Sequence, residues 1–252
     1  MKKFLLTVLS LGALSPLARA QEEAPRYLRF IPIGDLPTWS ETLKDKRRQG
    51  DDFPPGSVPP DPACLVSGGE VVPLKLNLKI FTPLVTLAAA TKGLTLKNGK
   101  APESPNWFQR SKPTAPLSLG VLLPDPKNQS WDKPRVLLLD DDANSFPTGT
   151  MRFVNASNKV VIIRLGGERG LRFGIAPGKT SIKPIKVGAN LVKFGYRAAD
   201  GSEPSILTSQ IAVRAKQRVQ CFFYNSNAEE GKPAVKYHYL PENLPLLPKA
   251  PE

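Results

Sequence analysis

Residues 150–155 read Thr150-Met151-Arg152-Phe153-Val154-Asn155, and they open the stretch that decides the fold. From here short apolar segments at 151–155, 160–165, 171–175, 181–187, 191–196, 206–214 and 218–224 alternate with turn chemistry. Gly166-Gly167-Glu168-Arg169-Gly170, Pro177-Gly178-Lys179 and Asp200-Gly201 supply positive φ or preset turns. Seven strands within roughly 75 residues, with no helical period near 3.6, are the signature of an all-β sandwich or barrel.

Upstream of 150 the same reading gives strands at 27–33, 71–80, 93–97, 117–123 and 135–139. Leu74, Leu76, Leu78 and Ile80 alternate with Lys75, Asn77 and Lys79, which predicts one buried and one wet face. Residues 85–90 allow a short helical turn, and 38–48 predict a short helix capped by Thr38 or Ser40. Tyr27-Leu28-Arg29-Phe30-Ile31 repeats the Arg-Phe-aliphatic opening of Thr150-Met151-Arg152-Phe153-Val154, and each half carries a later hairpin-like pair, at 117–139 and 191–224. The expected architecture is all-β: two β-sandwich, immunoglobulin-like domains. Duplication of one module and convergent strand composition both account for the likeness. The expected division is a signal peptide at 1–20, a β-rich domain with long Pro-rich loops at 21–144, a boundary at 144–149, a sandwich at 149–225 and a tail at 226–252. Proline makes up 27 of 252 residues, about double the usual 5% share. It clusters at 54–62, 102–116 and 241–251, which excludes those stretches from sheet interiors.

Arg152-Phe153-Val154-Asn155-Ala156-Ser157, a strand ending in Gly166-Gly167, Ala176-Pro177-Gly178 and the closing pair at 212–224 resemble exported immunoglobulin-like modules of unknown function. The resemblance spans 149–225 and implies a sandwich, with no activity attached. Those modules often carry an aspartate-rich loop after the Asn-Ala-Ser opening, and this chain has none there.

The compartment is read from the N-terminus. Lys2 and Lys3 precede an apolar run at 4–14, and Ala18-Arg19-Ala20 has the small-x-small form of a signal-peptidase site, so Gln21 is the expected first residue of an exported, periplasmic or extracellular chain. The run is shorter than the roughly 20 residues of a membrane-spanning helix, and no cysteine follows the cleavage site to carry a lipid. Loss of Lys2, Lys3 and Arg19 reduces 35 basic residues to 32 against 22 acidic ones, a mature charge of +10. That balance favours anionic partners such as phospholipid, wall polymer, polysaccharide or nucleic acid, unless the charges are scattered over a solvated surface. Cys64 and Cys221 do not make a disulfide framework. Alternation places Cys221 with Val219 and Phe223, and free buried thiols and a single bridge both remain open.

Little in the sequence resembles a catalytic centre. His238 is the single histidine, so a multi-histidine metal site is excluded, and no serine lies in a Gly-x-Ser-x-Gly motif. Ser130-Trp131-Asp132-Lys133 matches Ser-x-x-Lys and Lys179-Thr180-Ser181 approximates Lys-Thr-Gly, but Pro134 follows the first and no Ser-Asp-Asn element exists. Asp140, Asp141, Asp142 and Asn144 are the densest set of oxygen ligands for a hard cation, yet they lack the loop glycine and distal glutamate of an EF-hand. They read as the polar loop ending a strand, and neither metal nor cofactor is expected. Trp107 and Trp131, with Trp39, Tyr27 and Phe108, are candidates for stacking a sugar or for packing under loops. Arg214, Lys216 and Arg218 alternate with apolar residues and predict a cationic face for anion binding. No aromatic residues interleave them, so nucleic acid is not favoured. The expected function is an exported, non-catalytic binding or structural module of the envelope or extracellular space, with an anionic polymer, glycan or protein as partner. One alternative is a hydrolase of carbohydrate or wall polymer using Asp140 and Asp142, and another is a polyanion binder using the basic face.

Overall fold

The computed structural model describes residues 24–37, 41–44, 47–50, 53–89, 91–167, 169–226 and 233–248. In the first half, β1 (Arg26–Pro32) is followed by a small hairpin of β2 (Glu41–Lys44) and β3 (Arg47–Gly50). Then come β4 (Ala63–Ser67), β5 (Glu70–Leu74), β6 (Val85–Leu87), β7 (Gly93–Lys97), β8 (Asn106–Ser111), β9 (Leu117–Leu123) and β10 (Arg135–Asp140). The second half holds β11 (Thr150–Asn155), β12 (Val161–Leu165), β13 (Leu171–Ile175), β14 (Thr180–Pro184), β15 (Gly188–Tyr196), β16 (Ser205–Val213), β17 (Gln217–Asn225) and β18 (Val235–Asn243). The chain is all-β, two sandwich-like units each made of two four-stranded sheets.

The two units follow one plan. The first pairs an inner sheet β10-β9-β1-β6 with an outer sheet β5-β4-β7-β8, and the second pairs an inner sheet β18-β17-β11-β14 with an outer sheet β13-β12-β15-β16. In each inner sheet the opening strand runs parallel to one late strand, β1 to β9 and β11 to β17, and all other pairings are antiparallel. The Arg-Phe motif occupies the same place in both, with Phe30 opposite Gly120 and Phe153 opposite Cys221.

Period two explains the packing. Leu28 and Phe30 of β1 face the first outer sheet and join Leu65, Leu94, Leu96 and Trp107 in one core. Met151 and Phe153 of β11 face the second outer sheet and meet Ile163, Val192, Phe194 and Phe223 in another. The alternate residues Ile31, Leu119 and Val121 of the first inner sheet pack against Val154, Phe222 and Tyr224 of the second. The inner sheets therefore lie back to back, and the protein is a stack of four sheets in the order outer, inner, inner, outer. This is why β9 (Leu-Ser-Leu-Gly-Val-Leu-Leu) is buried along its whole length.

Four expectations are corrected. Residues 41–44 and 47–50 form a hairpin where a helix was expected, because Trp39 and Leu43 alone do not give a short helix an apolar face to bury. Residues 85–87 are strand β6, held against β1. The strand expected at 71–80 ends at Leu74. Leu76 remains buried beyond it, but Lys79 takes a positive φ of 64° and Ile80 is 58% exposed, so the alternation outlasts the ladder by two residues and is lost by Ile80. The tail expected at 226–252 contains β18, which pairs with β17 from Gln217 to Asn225 and completes the second inner sheet. Pro73, Pro184 and Pro241 all lie in edge strands, where a missing N–H costs no ladder bond.

Candidate functional site

The second outer sheet turns Val161, Ile163, Val192 and Phe194 inward, so Arg164 of β12 and Lys193 of β15 must point outward. The register then sets them side by side: Arg172 pairs with Arg164, Arg164 with Lys193, and Lys193 with Thr208. One row across four strands thus carries three cations and a hydroxyl. Directly opposed residues have Cβ atoms only about 4.5–5.5 Å apart, and like charges there destabilise a sheet. Arg172 is relieved by Glu203, whose Oε1 lies 2.6 Å from Nη2, with Arg197 at 4.0 Å from the same oxygen. The hydrogen bond from Arg172 holds the Glu203 carboxyl below its usual range, with Arg197 and Arg164 adding to this. The Arg164 and Lys193 side chains have no hydrogen bond or ion pair among the described residues. With Gly167, Leu191 and Thr208 they line an open groove of about 570 Å³. That volume lies within the roughly 300–1,000 Å³ of ordinary ligand sites.

The sequence-predicted residues sit elsewhere. Arg214 and Lys216 are exposed on the turn between β16 and β17, where Lys216 has φ 64° and Arg214 N–H donates to Gln217 Oε1 at 2.9 Å. Arg218 is fully buried, so the three cations do not share a solvent-facing surface. Lys216, with its positive φ, breaks the period-two geometry at the turn, and the face of β17 that carries Arg218 meets the first unit instead of water. Trp107 and Trp131 are also buried, at 6% and 2% exposure. Their ring centroids are 6.4 Å apart, and Trp107 Nε1 donates to the Trp131 carbonyl, which fixes them as core and leaves neither face open to a sugar. Cys64 and Cys221 are free and buried, each in a different unit. Burial raises both thiol pKa values.

The three aspartates part company. Asp140 is exposed at the end of β10, and Asp142 accepts N–H groups from Asn144 and Ser145 and the Ser145 hydroxyl, closing a local turn. Those hydrogen bonds outweigh partial burial and lower the Asp142 pKa. Asp141 is fully buried between the inner sheets. Arg29 reaches its Oδ2 at 2.6 Å, Arg218 lies 3.2 Å from the same oxygen, and Arg152 donates to Oδ1. Glu242 of β18 takes Arg29 at 2.7 Å and Arg218 at 3.2 Å, and Gln220 Nε2 donates to it at 2.8 Å. Three guanidiniums thus share two carboxylates. Arg152 also donates to Gln220 Oε1 at 3.1 and 3.2 Å and to the Asp140 carbonyl at 2.6 Å, Arg218 donates to the Asp141 and Phe146 carbonyls at 2.8 and 2.9 Å, and Arg152 and Arg218 both lie over the Phe146 ring. Burial lowers the pKa of Arg152 and Arg218. In Arg29 the hydrogen bond to Glu242 and the charges of Asp141 and Glu242 outweigh burial and raise it.

A second polar contact closes the other end of the interface, where Asp35 accepts from Tyr224 at 3.0 Å and from Lys236 at 2.8 Å. His238 lies on the same face of β18. Burial and the Lys79 charge lower its pKa, and its buried Nε2 has no hydrogen-bond partner among the described residues. No group of three or more metal-type ligands occurs among the described residues.

Sequence reasoning missed Arg29, Arg152 and Glu242 as a set, although the repeated Arg-Phe pair was visible. It also missed Arg164, Arg172 and Lys193, whose alternation within their own segments was legible but whose pairing was not.

No family model and no curated protein matches this chain. Among solved structures, a "putative cell adhesion protein" from Bacteroides eggerthii DSM 20697 is similar at 8% identity over 86% of this chain and 95% of that one, with a TM-score of 0.23. A likeness of that size contributes nothing to the functional reading. No helix among the described residues is long and apolar enough to cross a membrane.

Proposed function

We propose that the protein is an exported, non-catalytic binding module, a rigid pair of sandwiches that presents the exposed face of β13-β12-β15-β16 to its partner. The observation that carries this is the contrast between that face and every candidate for catalysis. The groove holds two cations with no hydrogen bond or ion pair among the described residues, a hydroxyl and an aliphatic side chain, and no carboxylate, histidine or cysteine is among the described residues that line it. Asp141 is locked in the ion cluster, Asp142 in a turn, and both thiols in cores. Export rests on Lys2, Lys3, the apolar run and Ala18-Arg19-Ala20.

Retention of the secreted protein by envelope material tests the face. Thr208→Trp fills the groove, and Gln109→Trp places the same bulk at the equivalent point of the first outer sheet. The proposal expects the first to abolish retention and the second to leave it. Equal behaviour overturns it, as does turnover of a glycan or wall polymer that is lost in a folded Asp140→Asn or Asp142→Asn variant.

A further inference from the structure

We infer that the groove over Arg164 and Lys193 is a binding site for the anionic groups of an acidic polysaccharide. The inference rests on the reading of this sheet as the binding face and gives that face a ligand. Arg172, Arg164 and Lys193 stand in consecutive register positions, and neighbouring strands are about 4.8 Å apart. A chain laid across the strands therefore meets one cation per strand. Glu203, beside the row, pairs with Arg172 and Arg197 and reaches Arg164 only as a longer-range charge, so neither Arg164 nor Lys193 has an ion pair among the described residues. Packing does not require them. The matching row of the first outer sheet, Val71-Val66-Thr95-Gln109, is uncharged and supports the same sandwich.

The other surfaces of the groove select among polyanions. Leu191 is 42% exposed and lies against Gly167, whose added Cβ would come 3.6 Å from Leu191 Cδ2, so one wall is aliphatic and the other is bare backbone. Such walls suit the C–H faces of a pyranose ring, while the Thr208 hydroxyl can exchange hydrogen bonds with its hydroxyls. No aromatic ring is among the described residues that line the groove to stack a base, which disfavours single-stranded nucleic acid. The groove is concave, so a chain enters it where a planar bilayer does not. Arg164 offers a planar fork for a carboxylate or sulfate and Lys193 a point charge beside it.

Binding of the full secreted protein to polygalacturonate at low salt tests the inference. Neutral dextran, anionic phosphatidylglycerol vesicles and single-stranded DNA serve as comparison probes. Arg164→Gln with Lys193→Gln is expected to weaken polygalacturonate binding at least about tenfold, since each charge-assisted bond is among the stronger polar contacts. Arg214→Gln with Lys216→Gln removes the same charge from the exposed turn and should change binding less than about twofold. Raising salt to 0.15 M should weaken the parent as the Debye length falls to about 8 Å. The inference is overturned if the parent does not bind polygalacturonate, if both double variants weaken it equally, or if vesicles or DNA bind more tightly through Arg164 and Lys193. Circular dichroism and the melting temperature of each variant show that the fold is intact. If Thr208→Trp abolishes envelope retention while Arg164→Gln with Lys193→Gln does not, the face stands and the anionic ligand falls. If Thr208→Trp has no effect, the face itself falls.

Discussion

Laid strand on strand, the two sandwiches put Val71, Val66, Thr95 and Gln109 where Arg172, Arg164, Lys193 and Thr208 stand. Their inner sheets differ in another way: Arg29 sits opposite Leu119, and Arg152 opposite Gln220. A sandwich needs its facing residues to be apolar and leaves the outer row unspecified. The outer row of the second unit can thus be charged without loss of the core. Between the inner sheets no such freedom exists, because a polar group removed from water must find partners. The same residue type, arginine, is a surface group at Arg164 and part of the structural frame at Arg218.

Removing the anion at the centre of that frame should have the largest effect. Asp141→Asn leaves Arg29, Arg152 and Arg218 buried around a neutral amide, and breaking a buried pair costs about 3–5 kcal/mol. Chemical denaturation should show this as a fall in midpoint. Arg218→Gln belongs in the same class, and an effect under about 1 kcal/mol from either would mean that water reaches the cluster.

The next test concerns the residue opposite each motif phenylalanine. A Cβ on Gly120 would lie 2.5 Å from Phe30 Cδ1, so Gly120→Ala should cost about 1–3 kcal/mol through overpacking. Cys221→Ala, opposite Phe153, removes volume instead of adding it and should cost about 1 kcal/mol. Thermal melts of the two variants compare the sites directly, and equal costs would erase the distinction.

A smaller effect is expected at His238. Burial and Lys79 lower its pKa in the folded chain from the ordinary 6.5, so below that value the unfolded chain binds more protons than the folded one. Its contribution is therefore present above about pH 6.5 and lost as pH falls toward the folded pKa. The stability gap between the parent and His238→Phe should move against the parent between pH 7.5 and pH 5. A gap that does not change over this range would place the ring in contact with water.

The smallest changes are expected at the exposed turn and the thiols. Arg214→Gln and Lys216→Gln should each shift stability by less than about 0.5 kcal/mol, in contrast to Arg218→Gln two residues on. Reductant should leave the melting temperature unchanged, because Cys64 and Cys221 are unpaired and lie in separate units.

Much of the architecture was legible in the chain. Ile163-Arg164-Leu165 and Val192-Lys193-Phe194 alternate because one face of their sheet is wet, and the repeated Arg-Phe opening does mark equivalent strands. The hairpin at 41–50 and strand β18 were not legible, since short polar or aromatic segments take their conformation from the strand they pair with. The candidate site was legible only in part. Its cations could be assigned to an outward face, but not to one another.

The sequence by itself determined which side chains alternate across the strands it revealed, because a strand alternates its faces whatever lies beyond them. It also determined where turns break the strands, through Gly166, Gly178 and Gly201 with their positive φ. What lies beyond each face was decided only by the tertiary structure. Arg218 and Arg164 both interrupt apolar segments, yet one faces Asp141 and the other faces solvent. Pairing register and the stacking of inner sheets are long-range facts, fixed by which surfaces bury each other, and no local pattern encodes them.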